Sequence, residues 1–200
     1  NTSTNGRIIR FEADANGNSA DYNNILSCTL QFSARTSGST SAGAYVVFGN
    51  SLTASVTSPS FNMGRYTVIK GNLMRTTNTN SPGPAFGICE NEPSGTYSGT
   101  VTGNEFVGNT IENFYYYGIY MYYTNGNVVK NNDFSRANAT STGSTTMYGI
   151  NSYYSYNTSR STEISGNKLH DLPFAGATLS TTTMSSIYGF YVFYPYGNAT

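Results

Sequence analysis

Five times along this chain an aliphatic residue is followed three positions later by a small polar residue and, two further on, by another apolar one. The five copies are Ile25-Cys28-Leu30, Ile69-Asn72-Met74, Val101-Asn104-Phe106, Val129-Asn132-Phe134 and Ile164-Asn167-Leu169. A short unit that recurs in this way cannot bury its apolar face alone and must stack on its neighbours. The repeat therefore decides the architecture before any local motif is weighed.

A second phrase recurs between the first ones. It reads Phe86-Gly87-Ile88, Tyr117-Gly118-Ile119, Tyr148-Gly149-Ile150 and Tyr188-Gly189-Phe190, with Ala44-Tyr45-Val46 as a weaker first copy. The phrases keep their form while the segments between them stretch, as expected when stacking strands hold register and insertions go to the outside. The chain divides into coils near residues 23–67, 68–99, 100–126, 127–160 and 161–200, after a lead-in over 1–22 that carries the strand-like Arg7-Ile8-Ile9-Arg10-Phe11. Each coil should hold two or three short strands. Alternation along Ile119-Tyr120-Met121-Tyr122 sends Ile119 and Met121 inward and Tyr120 and Tyr122 outward. Parallel coils stacked about 4.8 Å apart would align Cys28, Asn72, Asn104, Asn132 and Asn167 as an inward ladder, each amide bonding to the coils above and below.

Composition agrees with strands and narrows the partners. Charged residues are only 10% of the chain, with ten acids against ten bases, where about 25% is usual. No basic surplus exists for nucleic acid or an anionic membrane surface. Gly (21), Tyr (18) and abundant Asn favour pleated strands and tight turns over helices. No apolar stretch reaches spanning length. The chain starts Asn1-Thr2-Ser3 without Met, which reads as processing or excision. Gly197-Asn198-Ala199-Thr200 aligns with Gly126-Asn127-Val128-Val129 and then stops, so a segment of a longer solenoid is expected. Cys28, at an Asn position, should point inward, and Cys89 should lie in another sheet. Two buried unpaired thiols are expected, with a bridge left open in an extracellular setting.

These phrases, over roughly residues 23–200, resemble the right-handed parallel β-helix proteins of the pectate-lyase-like superfamily. The resemblance implies an all-β solenoid of about five to six coils with an internal Asn ladder and variable outer loops. That fold hosts polysaccharide lyases, glycoside hydrolases, phage tailspikes, adhesins and repeats of large secreted bacterial proteins. The Asn/Tyr/Ser/Thr-rich style resembles long cell-surface proteins of Bacteroidota, many exported by type IX secretion, which implies an extracellular or cell-surface location. A β-sandwich or propeller is the alternative fold, but neither explains a constant Asn phrase between drifting loops.

An enzyme of this superfamily would place acids, or Ca²⁺-binding acids with a base, on the outside of neighbouring coils. Glu105 and Asp133 each follow a ladder Asn and could hold Ca²⁺, with Lys130 or Arg136 as base. Lys168 holds the same position one coil on and Lys70 precedes its Asn, so a solvated ladder of compensating charges competes with this reading. Glu90 and Glu92 sit before Pro93 in a loop-like run and are expected to face solvent. His170-Asp171 reads as a turn pair. With one histidine there is no Cys/His cluster for zinc, and no cofactor is expected.

The aromatics outweigh the charges. Tyr115, Tyr116, Tyr117, Tyr120, Tyr122 and Tyr123 crowd one coil, Tyr148, Tyr153, Tyr154 and Tyr156 the next, and Tyr188, Tyr191, Phe193, Tyr194 and Tyr196 the last. Two outward rows follow from alternation, Tyr120 with Tyr191, and Tyr122 with Tyr153 and Phe193. Such rows either stack on sugar rings or another protein, or pack beneath loops and stabilise the sheet. Thr140-Ser141-Thr142 and Thr181-Thr182-Thr183 fall in the variable loops and make no flat ice-binding face. The sequons at Asn138 and Asn157 matter only if the source glycosylates them.

The expectation is a non-enzymatic structural or adhesive segment of a secreted or surface protein: a stalk, adhesin or fibre unit. Its partners would be further copies or neighbouring segments by coil stacking, and surface polysaccharide. A carbohydrate-active lyase or hydrolase is the alternative.

Overall fold

A computed structural model of the chain describes residues 6–12, 19–33, 43–48, 64–78, 83–91, 102–137, 146–153, 161–172 and 186–193. Strand β1 (Arg7–Phe11) is followed by triplets of strands: β2 (Asn24–Leu26), β3 (Thr29–Phe32) and β4 (Ala44–Phe48); β5 (Val68–Lys70), β6 (Leu73–Thr76) and β7 (Phe86–Asn91); β8 (Glu105–Val107), β9 (Thr110–Glu112) and β10 (Tyr117–Tyr122). Then come β11 (Val128–Lys130), β12 (Asp133–Ser135) and β13 (Thr146–Tyr153), and β14 (Glu163–Ser165), β15 (Lys168–His170) and β16 (Ser186–Phe193). No helix occurs among the described residues. Three parallel sheets result, the first in the order β1-β4-β7-β10-β13-β16, the second β2-β5-β8-β11-β14 and the third β3-β6-β9-β12-β15. The protein is an all-β parallel solenoid.

Strand register corrects the third copy of the repeat. Ile69 pairs with Phe106, and Phe106 with Val129, so Phe106 occupies the aliphatic position. The true copy is Phe106-Val107-Gly108-Asn109-Thr110-Ile111, and Val101 lies outside the described residues. Val101-Asn104-Phe106 matches an aliphatic template by coincidence of spacing. The genuine copy carries an aromatic residue in that slot and escapes it.

With the copies in phase, the corner between the second and third sheets becomes legible. The residue before each repeat Asn has a left-handed backbone: Ser27 (φ 52°), Gly71 (67°), Gly108 (63°), Asn131 (55°) and Gly166 (66°). Gly and Asn tolerate this conformation, which explains why the position draws on them. Asn72 Nδ2 donates to Asn109 Oδ1 (2.9 Å), Asn109 Nδ2 to Asn132 Oδ1 (3.0 Å) and Asn132 Nδ2 to Asn167 Oδ1 (3.0 Å). The same amides also donate to backbone carbonyls of the preceding coil, at Ile25, Ile69 and Phe106.

Apolar residues of all three sheets meet in one interior cluster, including Ile69, Phe106 and Val129, Met74, Ile111 and Phe134, and Ile88, Ile119 and Ile150. The Tyr-Gly-Ile phrase follows from this packing. Its Gly and Ile both face inward, so alternation breaks there. A Cβ on Gly118 would sit 2.5 Å from the Gly149 carbonyl oxygen and from the Phe134 ring, and Gly87 and Gly149 are crowded in the same way. Tyr45 occupies the equivalent slot in β4, where Ala44 pairs with Phe86 and Val46 with Ile88. Its hydroxyl reaches Thr76 Oγ1 (3.0 Å) and the Glu112 carbonyl (3.1 Å).

Edges depart from the interior pattern. Cys28 is exposed, contrary to the inward placement expected of its repeat position, because β2 and β3 end their sheets and only one side of Cys28 is stacked. Its amide still donates to Asn72 Oδ1 (2.8 Å). Cys89 is buried, and both thiols are free. On edge strand β16 the core-side residue Phe190 is 49% exposed.

Candidate contact surface and a buried carboxylate

Register on the outer face of the first sheet builds columns of aromatic rings. Phe86, Tyr117, Tyr148 and Tyr188 pair in sequence, and their rings stack at centroid distances of 5.1, 5.0 and 4.9 Å. A second column holds Tyr122, Tyr153 and Phe193, stacked at 5.5 and 4.6 Å. Between them runs a column that is not continuous: Tyr120 pairs with Asn151 and Asn151 with Tyr191. The expected Tyr120–Tyr191 row is thus interrupted by the strand between them. Tyr120 is also only 6% exposed, packed with Ala44, Val47, Phe86 and Cys89 in a second apolar cluster on this outer face.

Where Asn151 interrupts the aromatic column, the surface holds an open depression of about 320 Å³. Tyr120, Tyr122, Tyr153 and Tyr191 line it, together with Tyr117, Tyr148 and Asn151. Phe193 stands at its end, stacked on Tyr153. Burial pushes the phenols of Tyr117 and Tyr120 well above their ordinary range, and that of Tyr148 up to about 12, so these three hydroxyls stay neutral over physiological pH. None of the described residues that line it is charged. Tyr154, Tyr156, Tyr194, Tyr196, both Thr clusters and both sequons lie outside the described residues.

The charged candidates do not converge. Glu105 lies in the second sheet beside Val68 and Val128, whereas Asp133 lies in the third beside Thr110 and Lys168. Their proposed adjacency rested on the misphased third copy, which put Glu105 at the position that Thr110 occupies. Asp133 Oδ1 instead meets His170 Nε2 at 2.7 Å, and His170 Nδ1 meets Asp171 at 2.8 Å. The hydrogen bonds to Asp171 and then Asp133 raise the His170 pKa. Lys130 pairs with Glu163 at 2.6 Å. Arg136 is fully buried, with Nη1 3.9 Å from Met147 Sδ, and so is no surface base. Desolvation lowers its pKa to about 10. No group of three or more His, Cys, Asp and Glu that could hold a metal is found among the described residues.

Glu90 contradicts the expected loop position. It lies in β7, is fully buried, and pairs with Phe48 and Met121, both on the core side. Asn104 Nδ2 donates to Glu90 Oε1 at 2.8 Å and Asn127 Nδ2 to Oε2 at 2.5 Å. Desolvation pushes the Glu90 pKa up to about 7, opposed by hydrogen bonds from Asn104, Asn127 and Thr102. Alternation contained the signal, since Glu90 stands two residues after Ile88 as Met121 does after Ile119. The neighbouring Pro outweighed it. Glu92 lies outside the described residues.

Asn104 accordingly belongs to a different corner, the one entering the second sheet. Its Oδ1 accepts from the Thr67 amide at 2.8 Å, and Asn127 Oδ1 accepts from the Asn104 amide at 2.9 Å. Comparison of the chain with family models, with curated proteins and with solved structures returned no match.

Proposed function

We propose that the chain is a non-enzymatic segment of a large secreted or cell-surface protein, a rigid unit that touches glycan or another surface through its aromatic outer face. The observation that carries this reading is the pair of stacked columns, Phe86-Tyr117-Tyr148-Tyr188 and Tyr122-Tyr153-Phe193, on one face of a stiff parallel sheet. Tyr offers a broad apolar face with a hydroxyl at its rim, and it orders at low entropic cost because few torsions are fixed. The fold is proposed to be a right-handed β-helix of the pectate-lyase-like kind, with five to six coils tied by an Asn ladder. The Asn/Tyr/Ser/Thr-rich style, which resembles that of surface proteins of Bacteroidota exported by type IX secretion, supports such a setting. Neighbouring segments or further copies would dock on the edge of β16 that pairs with no other described strand.

The test is retention of the purified chain on insoluble cell-wall polysaccharides. Replacing Tyr122 and Tyr153 together by Ser should abolish retention with the circular dichroism spectrum unchanged. Equal retention of the double variant would count against a contact face.

A further inference from the structure

The break in the middle aromatic column has a specific shape. Two strand spacings of roughly 4.8 Å separate Tyr120 from Tyr191, about 9.6 Å in all. At the level between them the flanking columns continue as Tyr148 and Tyr153, while the middle position carries Asn151. One planar ring is therefore missing from a stack whose intact neighbours, Tyr148 and Tyr188, stand 4.9 Å apart. The gap has aromatic residues on four sides and an amide as its floor.

Asn151 is only 3% exposed, and its Oδ1 has no hydrogen-bond partner. A buried acceptor left unpaired is destabilising by about 1–3 kcal/mol, so a group that supplies a donor at this point recovers a definite free energy. The depression of about 320 Å³ lies at the lower end of the roughly 300–1,000 Å³ typical of small-ligand sites. Among the described residues it has neither a cationic side chain to hold a uronate carboxylate nor a pair of acids to cleave a glycosidic bond.

We propose that the notch at Asn151 is a binding subsite for one uncharged pyranose ring of a glycan, stacked between Tyr120 and Tyr191 with a ring hydroxyl donating to Asn151 Oδ1. This rests on the glycan-contact reading above and adds to it a ligand class and a specificity residue. The ring replaces the absent tyrosine: its C–H faces meet the two phenols and its hydroxyl satisfies the amide. Glycan units beyond the bound ring would leave the notch toward solvent, because Tyr120 and Tyr191 occupy the middle column on either side of it. A proline or phenylalanine side chain of a protein partner could also fill a ring-sized gap, but it brings no donor to answer the orphan acceptor.

The experiment titrates the chain with six-unit gluco-, manno- and xylo-oligosaccharides and with hexagalacturonate. Calorimetry and tyrosine emission give the readout, the latter usable because the chain has no Trp. Saturable binding of a neutral oligosaccharide is expected, weakened about tenfold by Asn151→Ala, as for one lost hydrogen bond in a dry site. Asn151→Tyr, which completes the column, should abolish it. Tyr191→Ala, at a half-buried residue of the mostly exposed edge strand β16, serves as a second variant and should also lose binding. Hexagalacturonate binding more tightly than every neutral oligosaccharide overturns the proposal, as does wild-type affinity in both Asn151→Tyr and Tyr191→Ala. If no neutral oligosaccharide binds, the subsite is wrong. Retention on insoluble polysaccharide would in that case still leave the contact face standing, whereas its loss would remove both.

Discussion

At the corner between the second and third sheets, Asn72, Asn109 and Asn132 each donate from Nδ2 to a carbonyl of the preceding coil and to the Oδ1 of the next Asn. At the corner entering the second sheet, Asn104 and Asn127 accept backbone amides through Oδ1 in the same manner, yet turn Nδ2 inward to Glu90. The first corner is closed on itself, with every amide answered by another coil. The second has donors to spare, and those donors allow a carboxyl group to be held in a largely apolar interior. Stacking alone therefore does not dictate what an inward Asn does. The residue facing it on the first sheet decides.

Replacing Asn109 by Ala should break the closed corner and carry the largest effect. It strips the acceptor from the Asn72 amide and the donors from the Ile69 carbonyl and Asn132. With about 1–3 kcal/mol for each buried group left unsatisfied, a loss of about 4 kcal/mol is expected in urea unfolding. A loss below that of Asn104→Ala would reverse the ranking of the two corners.

The open corner should report itself through pH. Glu90 has a folded pKa near 7, above the ordinary carboxylate value, so the folded state holds the proton more tightly than the unfolded one. Stability is then fully present below about pH 4.5 and falls as pH rises to about 7, by about 3 to 4 kcal/mol at roughly 1.4 kcal/mol per pKa unit. Glu90→Gln should flatten that slope and exceed the wild type in stability at pH 8. A slope that survives the substitution would place the titrating group elsewhere.

Asn104→Ala removes the acceptor of the Thr67 amide and one donor to Glu90. About 2 kcal/mol should be lost. The pH slope should also extend further upward as the carboxylate loses support, which Asn109→Ala should not cause. Smallest of all, Asp133→Asn touches only the exposed contact with His170 and should shift stability by less than about 0.5 kcal/mol. A larger change would mean that the surface charges do more than compensate one another.

Much of the fold was legible because periodicity is a global signal. Parallel strands, the first copy of the second phrase at Ala44-Tyr45-Val46 and the inward direction of Ile119 and Met121 all followed from spacing. Phase was less secure. Five residues separate Asn104 from Asn109, and either satisfies a loose template, so only the pairing of Ile69 with Phe106 assigns the corner. That error carried Glu105 to the wrong sheet and assembled a calcium site that the register dissolves. The Tyr122-Tyr153-Phe193 column was visible in the alternation. Asn151 was not, since an Asn among Asn-rich loops shows nothing unusual until its aromatic neighbours are aligned above and below it.

Taken alone, the sequence determined that this chain stacks on itself in parallel, which side of each strand is apolar, and that tyrosines crowd one face. These are properties of a single strand and its repeat, and a period of two carries them. Only the tertiary structure decided which Asn stacks on which, that Glu90 is buried among amides, and that one position in an aromatic column is empty. Those depend on registers between coils 23 to 40 residues apart, where segments of unequal length intervene and local spacing no longer constrains what lies beside what.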